Sequence, residues 1–111
     1  MTLNEYQELA MRTARTDQTK LDQLNNAVLG LCGESGEVAD LYKKFAYQHA
    51  PFDRSRFLGE LGDLLWYVQF GAVAIDATME EVAANNLAKL LKRYPDGYDP
   101  IRANNREKGD V

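Results

Sequence analysis

Two short stretches of this chain carry side chains that could do chemistry together. They are Gly33-Glu34-Ser35-Gly36-Glu37 and Gly59-Glu60-Leu61-Gly62-Asp63. Each sets two carboxylates three residues apart, with a glycine beside each acid. Residues at i and i+3 share a helix face, so each stretch aims two carboxylates in one direction if both are helical. Two such helices packed antiparallel would bring four acidic groups to one spot. Bare carboxylates repel one another at neutral pH, so the arrangement calls for a positive partner. A hard divalent cation with oxygen ligands, Mg²⁺ first, meets that need.

Oxygen-only ligation points to Mg²⁺, Mn²⁺ or Ca²⁺ rather than zinc. A di-iron bundle would add Glu-x-x-His motifs, and the chain has none. Mg²⁺ takes few protein carboxylates and favours phosphate oxygens, so phosphate chemistry is the first expectation. Asn86, Lys89 and Arg93 then form a polar and cationic stripe at +3 and +4 spacing that could hold phosphates. The plain alternative for that stripe is a solvated helix face.

The elements that must position these groups read as helices throughout. Thr2-Leu3-Asn4-Glu5 is a capping box, and Leu3, Tyr6, Leu9 and Ala10 follow at helical spacing. A second helix is expected from about Thr19, with Leu21, Leu24, Val28, Leu31, Ser35, Val38, Tyr42 and Phe45 as a heptad seam against other helices. Beside the seam runs Ala27, Gly30, Glu34, Glu37, Leu41, a stripe with small or apolar ends and an acidic middle. Pro51 ends this segment, and Asp53 or Ser55 could cap the next. The third helix carries Phe57, Leu58, Leu61, Leu64, Leu65, Val68, Ala72 and Ile75 and should be the most buried. Its acidic stripe is Glu60, Asp63, Tyr67, Gly71. Thr78 and Glu81 form another capping box, opening a fourth helix through Val82, Leu87, Leu90 and Leu91 to Tyr94, and Pro95-Asp96-Gly97 turns out of it. No strand pattern occurs, so the fold class is all-α, a four-helix bundle core. Residues 1–98 form the domain and 99–111 a polar C-terminal tail. Gly30, Gly33, Gly36, Gly59 and Gly62 each cost about 1 kcal/mol against alanine inside a helix. Either backbones approach closely there or a bulky ligand needs the room.

Bulk properties exclude several classes. A chain of 111 residues suits one domain with one core. The net charge of −4 and the absence of a basic run argue against nucleic acid as a partner. The single cysteine, Cys32, excludes a disulfide framework and is expected to be a small buried apolar residue. No stretch approaches the roughly 20 apolar residues of a membrane span. The opening Met1-Thr2-Leu3-Asn4-Glu5 lacks a signal-peptide pattern, so a cytoplasmic protein is expected. The lone His49 sits in a loop without partners and is left out of the site.

The sequence resembles the MazG-like, all-α nucleoside triphosphate pyrophosphohydrolases, relatives of the dimeric dUTPases and the dCTP pyrophosphatases. The family signature is Glu-x-x-Glu, a spacer, then Glu-x-x-Asp, here Glu34-Ser35-Gly36-Glu37 and Glu60-Leu61-Gly62-Asp63. The similarity runs over roughly residues 3 to 98. It takes in the opening from Asn26 to Glu34 and the closing from Asn86 to Gly97, with its Arg-Tyr-Pro-x-Gly ending. The resemblance implies a homodimer or homotetramer, a Mg²⁺ cofactor (Mn²⁺ the other candidate), and hydrolysis between the α and β phosphates. It implies metal ligation by Glu34, Glu37, Glu60 and Asp63, and nucleotide contacts from Asn26 and Tyr67. Lys89, Arg93 and Asn86 match residues near the phosphates. Many relatives carry a further glutamate where this chain has Gly33; Glu34 is assigned as the general base. Some dCTP-directed relatives carry a tryptophan where this chain has Lys44.

The mechanism so implied is metal-assisted hydrolysis. A carboxylate takes a proton from a metal-bound water, and Lys89 and Arg93 offset charge on the pyrophosphate. Three other readings compete. One is a non-catalytic metal-dependent regulator or interaction module, and one is a plain structural helical oligomer. The third keeps the hydrolase but changes its substrate to a signalling nucleotide such as an alarmone.

Overall fold

Short polar side chains set where the helices start. The computed structural model describes all 111 residues, Met1–Val111. The order is α1 (Leu3–Met11), α2 (Lys20–Tyr47), α3 (Arg54–Ala74), α4 (Met79–Arg93) and α5 (Pro100–Asn104). Thr2 and Glu5 make the reciprocal capping box expected of them. Thr19, Asp53 and Thr78 each accept a backbone N–H of the first turn, which meets donors the helix cannot satisfy itself. At the far ends, α2 and α3 are stopped by left-handed residues, His49 at φ 57° and Asp76 at φ 58°.

α2 and α3 form an antiparallel pair. At one end Lys20 donates to the Val73 carbonyl (2.8 Å) and pairs with Asp76 (3.0 Å). At the other, Phe45, Phe52 and Phe57 stack around the connecting loop with ring centroids 5.6 Å apart. Between them Gly30 faces the Tyr67 ring, and Gly71 faces Ala27. α1 lies against α3 and latches the α3–α4 turn. The buried Gln7 side chain donates to the Ala77 carbonyl and accepts from the Met79 N–H, both at 3.1 Å. Asn4 accepts from the Glu80 N–H at 2.9 Å.

The core is small. It consists of Ala10, Ala27, Phe70, Ala72, Ala74 and Met79 with Gln7 and Gln69, and half of those residues belong to α3, as expected of the most buried helix. The heptad seam of α2 is not turned toward α3: Leu21, Val28, Tyr42 and Phe45 are exposed. The neighbouring stripe of Ala27, Gly30 and Glu34 faces it instead. Only small side chains let the Tyr67 and Phe70 rings approach, so the smaller stripe is the one buried. Cys32 is likewise exposed on α2, not a core residue as expected, because it points away from the Ala27–Gly30–Glu34 face. The close-approach reading of the glycines holds at Gly30 alone. A Cβ at Gly33, Gly36, Gly59 or Gly62 would meet nothing within 4 Å.

α4 stands off the body. Every residue from Glu80 to Lys92 is exposed, including Leu87, Leu90 and Leu91. The radius of gyration is 17.0 Å, against about 13 Å for a compact domain of this length. Residues 99–111, expected as a tail, contain α5 and then return to α4. There Arg93 donates two hydrogen bonds to the Asp110 carboxylate, at 2.7 and 2.9 Å. No helix is long and apolar enough to cross a membrane.

Two predictions follow from this packing. Gly30→Ala should drive a methyl group into the Tyr67 ring and destabilise the chain by about 1–3 kcal/mol in urea titration. The Arg93 guanidinium holds the Asp110 carboxyl below the usual aspartate range. Tail docking is therefore complete above the ordinary aspartate pKa and lost as pH falls through the lowered value. The protection of the residue 107–111 amides, taken relative to the intrinsic exchange rate at each pH, should fall over that acidic window in the wild type. In Asp110→Asn it should be low at every pH.

Candidate metal centre

Glu34 on α2 and Glu60 and Asp63 on α3 meet across the antiparallel pair. One carboxylate oxygen from each lies within 4.8 Å of the others. The register explains it. Ala27 opposes Gly71 and Gly30 opposes Tyr67, so one further turn along α2 places Glu34 opposite Asp63, and Glu60 follows one turn beyond. Glu34 and Glu60 are half-buried and Asp63 is exposed.

The electrostatics carry the mark of crowding. Removal from water, then the charges of Asp63, Glu60 and Glu37, push the Glu34 carboxyl above the usual glutamate range. No lysine or arginine is paired with Glu34, Glu60 or Asp63, although Asp40, a turn and a half further along α2, is held by both Lys43 and Lys44. The donor set suits a hard divalent cation. At about 2.1 Å per bond, oxygens on opposite sides of one Mg²⁺ stand roughly 4.2 Å apart. The three carboxylate oxygens, all within 4.8 Å of one another, are gathered on that scale.

Beside the carboxylates opens a cavity of about 320 Å³ lined by Thr13, Glu34, Asp63, Trp66 and Tyr67. Tyr67, expected as a nucleotide contact, is one of the residues lining it. Glu37 is exposed one turn beyond Glu34 and lies outside the three-carboxylate cluster, though close enough to act on the Glu34 charge. Asn26, Asn86, Lys89 and Arg93 do not line the cavity. The last three ride on the projecting α4, and Arg93 is engaged by Asp110.

Three contributors were not singled out from sequence. Thr13, from the segment after α1, and Trp66 line the cavity. Tyr6 of α1 lies near the cluster: burial, then the Asp63 charge, push its phenol above the ordinary value. Trp66 had a readable signal, since it stands three residues after Asp63 on the same helix face. Thr13 and Tyr6 had none, because only the tertiary fold brings α1 over α3.

The relationships of the chain agree with this geometry. The Gene 37 protein of Mycobacterium phage L5 is 32% identical over 94 residues, a match spanning 81% of this chain and 82% of the phage protein. No solved structure matches. The MazG nucleotide pyrophosphohydrolase domain matches over residues 22–98, a span that holds both acidic pairs, Tyr67 and the whole of α4; the chain belongs to that family.

Proposed function

We propose that this protein is a Mg²⁺-dependent hydrolase that cleaves a ribo- or deoxyribonucleoside triphosphate between the α and β phosphates, releasing the monophosphate and pyrophosphate. The observation that carries the reading is the meeting of Glu34, Glu60 and Asp63 beside an aromatic cavity, in a chain of this family. Glu34, Glu60 and Asp63 would hold a divalent cation, with Glu37 one turn away. When bound, the cation neutralises phosphate charge and lowers the pKa of water. Glu34 accepts the proton of the attacking water. Tyr67 and Asn26 orient the nucleotide. Lys89 and Asn86, with Arg93 once it leaves Asp110, would hold the phosphates and offset the charge of the leaving pyrophosphate.

The α4 residues do not line the cavity of their own chain, and the working unit proposed is a homodimer or homotetramer in which another copy supplies them. Surface area supports this. The single chain exposes 8282 Å², about a third more than the roughly 6,200 Å² of a compact monomer of its mass. The excess is of the size that obligate interfaces bury. The exposed seam of α2 and the leucines of α4 supply an apolar surface for it.

The reaction is tested by pyrophosphate release from a panel of ribo- and deoxyribonucleoside triphosphates, with Mg²⁺ and with chelator. Release should require Mg²⁺, and Glu60→Gln and Glu37→Gln should lower it, Glu60→Gln by about 100-fold or more. Absence of release from every triphosphate would overturn the proposal. Melting curves supply a second check. Because the Glu34 pKa is raised, stability without cation falls as pH rises through the window between the ordinary and the raised value. Glu34→Gln should therefore melt higher than wild type in chelator at neutral pH, yet gain less from added Mg²⁺.

A further inference from the structure

We propose that Trp66 is a base-contacting residue, the aromatic wall against which the nucleobase of the substrate lies, and that Thr13 positions it. The inference rests on the reading of the site as a nucleotide hydrolase and adds to it the part of the substrate that is recognised. The cavity has two chemically distinct ends. Glu34 and Asp63 form one, and Trp66 and Tyr67 the other. On that reading the first would hold a cation and the reacting phosphates. Trp66 and Tyr67 follow Asp63 by three and four residues, one helical turn on, and offer two aromatic rings, which suits a flat π-system rather than another charge.

Trp66 is fixed from two sides. Its indole stacks on Phe70, with centroids 4.9 Å apart and planes 22° apart, and meets Tyr67 edge-on at 5.1 Å and 80°. The indole N–H donates to the Thr13 hydroxyl at 2.9 Å. That hydroxyl donates its own hydrogen to the Ala10 carbonyl at 2.7 Å, so Thr13 has no proton left for a ligand and acts through Trp66. The chain from Ala10 through Thr13 to Trp66 ties the end of α1 to the site. The two near-perpendicular rings form a corner whose orientation is set before substrate arrives, which reduces the ordering cost of binding.

Trp66 is the sole tryptophan of the chain, so its emission reports on this wall alone. Deoxynucleoside monophosphates, added to the full-length protein with Mg²⁺, should quench it saturably, and deoxyribose 5-phosphate should not. Trp66→Leu should raise KM for the best triphosphate about tenfold with kcat little changed. Thr13→Val should shift the emission and raise KM several-fold, and Thr13→Ser, which keeps the hydroxyl, should restore both. Equal quenching by deoxyribose 5-phosphate, or an unchanged KM in Trp66→Leu, would overturn the base contact. A Thr13→Ser variant no better than Thr13→Val would overturn the positioning role. Pyrophosphate release without base-dependent quenching would sink this inference alone. Base-dependent quenching without release would sink the hydrolase reading and leave the base contact standing.

Discussion

The structure depends on a mutual repulsion held in place by small residues. Ala27, Gly30 and Gly71 let α2 and α3 come close enough for the Tyr67 ring to lie against the backbone of α2. The same closeness forces Glu34 toward Glu60 and Asp63. Nothing in the chain neutralises these three carboxylates, while Asp17, Asp40, Asp76 and Asp110 all have cationic partners. Like charges at this separation destabilise a helix pair. A divalent cation bound there would offset that repulsion.

Around that point the elements divide the work. The α2–α3 pair sets the carboxylates. α1 has no acid in the cluster, yet it brings Tyr6 near Asp63 and places Thr13 under Trp66. Its own position is set by Gln7 and Asn4, which satisfy the backbone where α4 begins. α4 leaves the body at that turn and carries its leucines and its polar stripe into solvent. A lone helix of this length is marginal in water, so α4 is the least supported of the long helices.

Much of this was legible in the sequence, for local reasons. The capping box at Thr2, the Thr78 cap and the break near Pro51 depend on neighbours along the chain, and the helix limits follow them closely, although Glu81 does not return the reciprocal bond to Thr78 that a full box requires. The acidic pairs were readable because i, i+3 spacing fixes a shared face whatever the tertiary structure. Which face of α2 turns inward was not readable in the same way. Periodicity marks a bulky seam at Leu21, Val28 and Tyr42 beside a small stripe at Ala27, Gly30 and Glu34, and both repeat at helical spacing. The choice depends on what α3 offers in return, and rings as large as those of Tyr67 and Phe70 select the small stripe. Cys32 was misjudged for the same reason. Thr13 entered the site through contacts more than 50 positions apart in the chain, which no local pattern encodes.

The central claim, that Glu34, Glu60 and Asp63 are gathered to hold a divalent cation, is tested most directly by titrating the protein with Mn²⁺ and following free ion by electron paramagnetic resonance. Wild type should bind Mn²⁺ saturably. Asp63→Asn should lose that binding, whereas Asp40→Asn, which removes an acid already paired with lysines, should keep it. Equal binding in the wild type and Asp63→Asn, or none in either, would contradict the account.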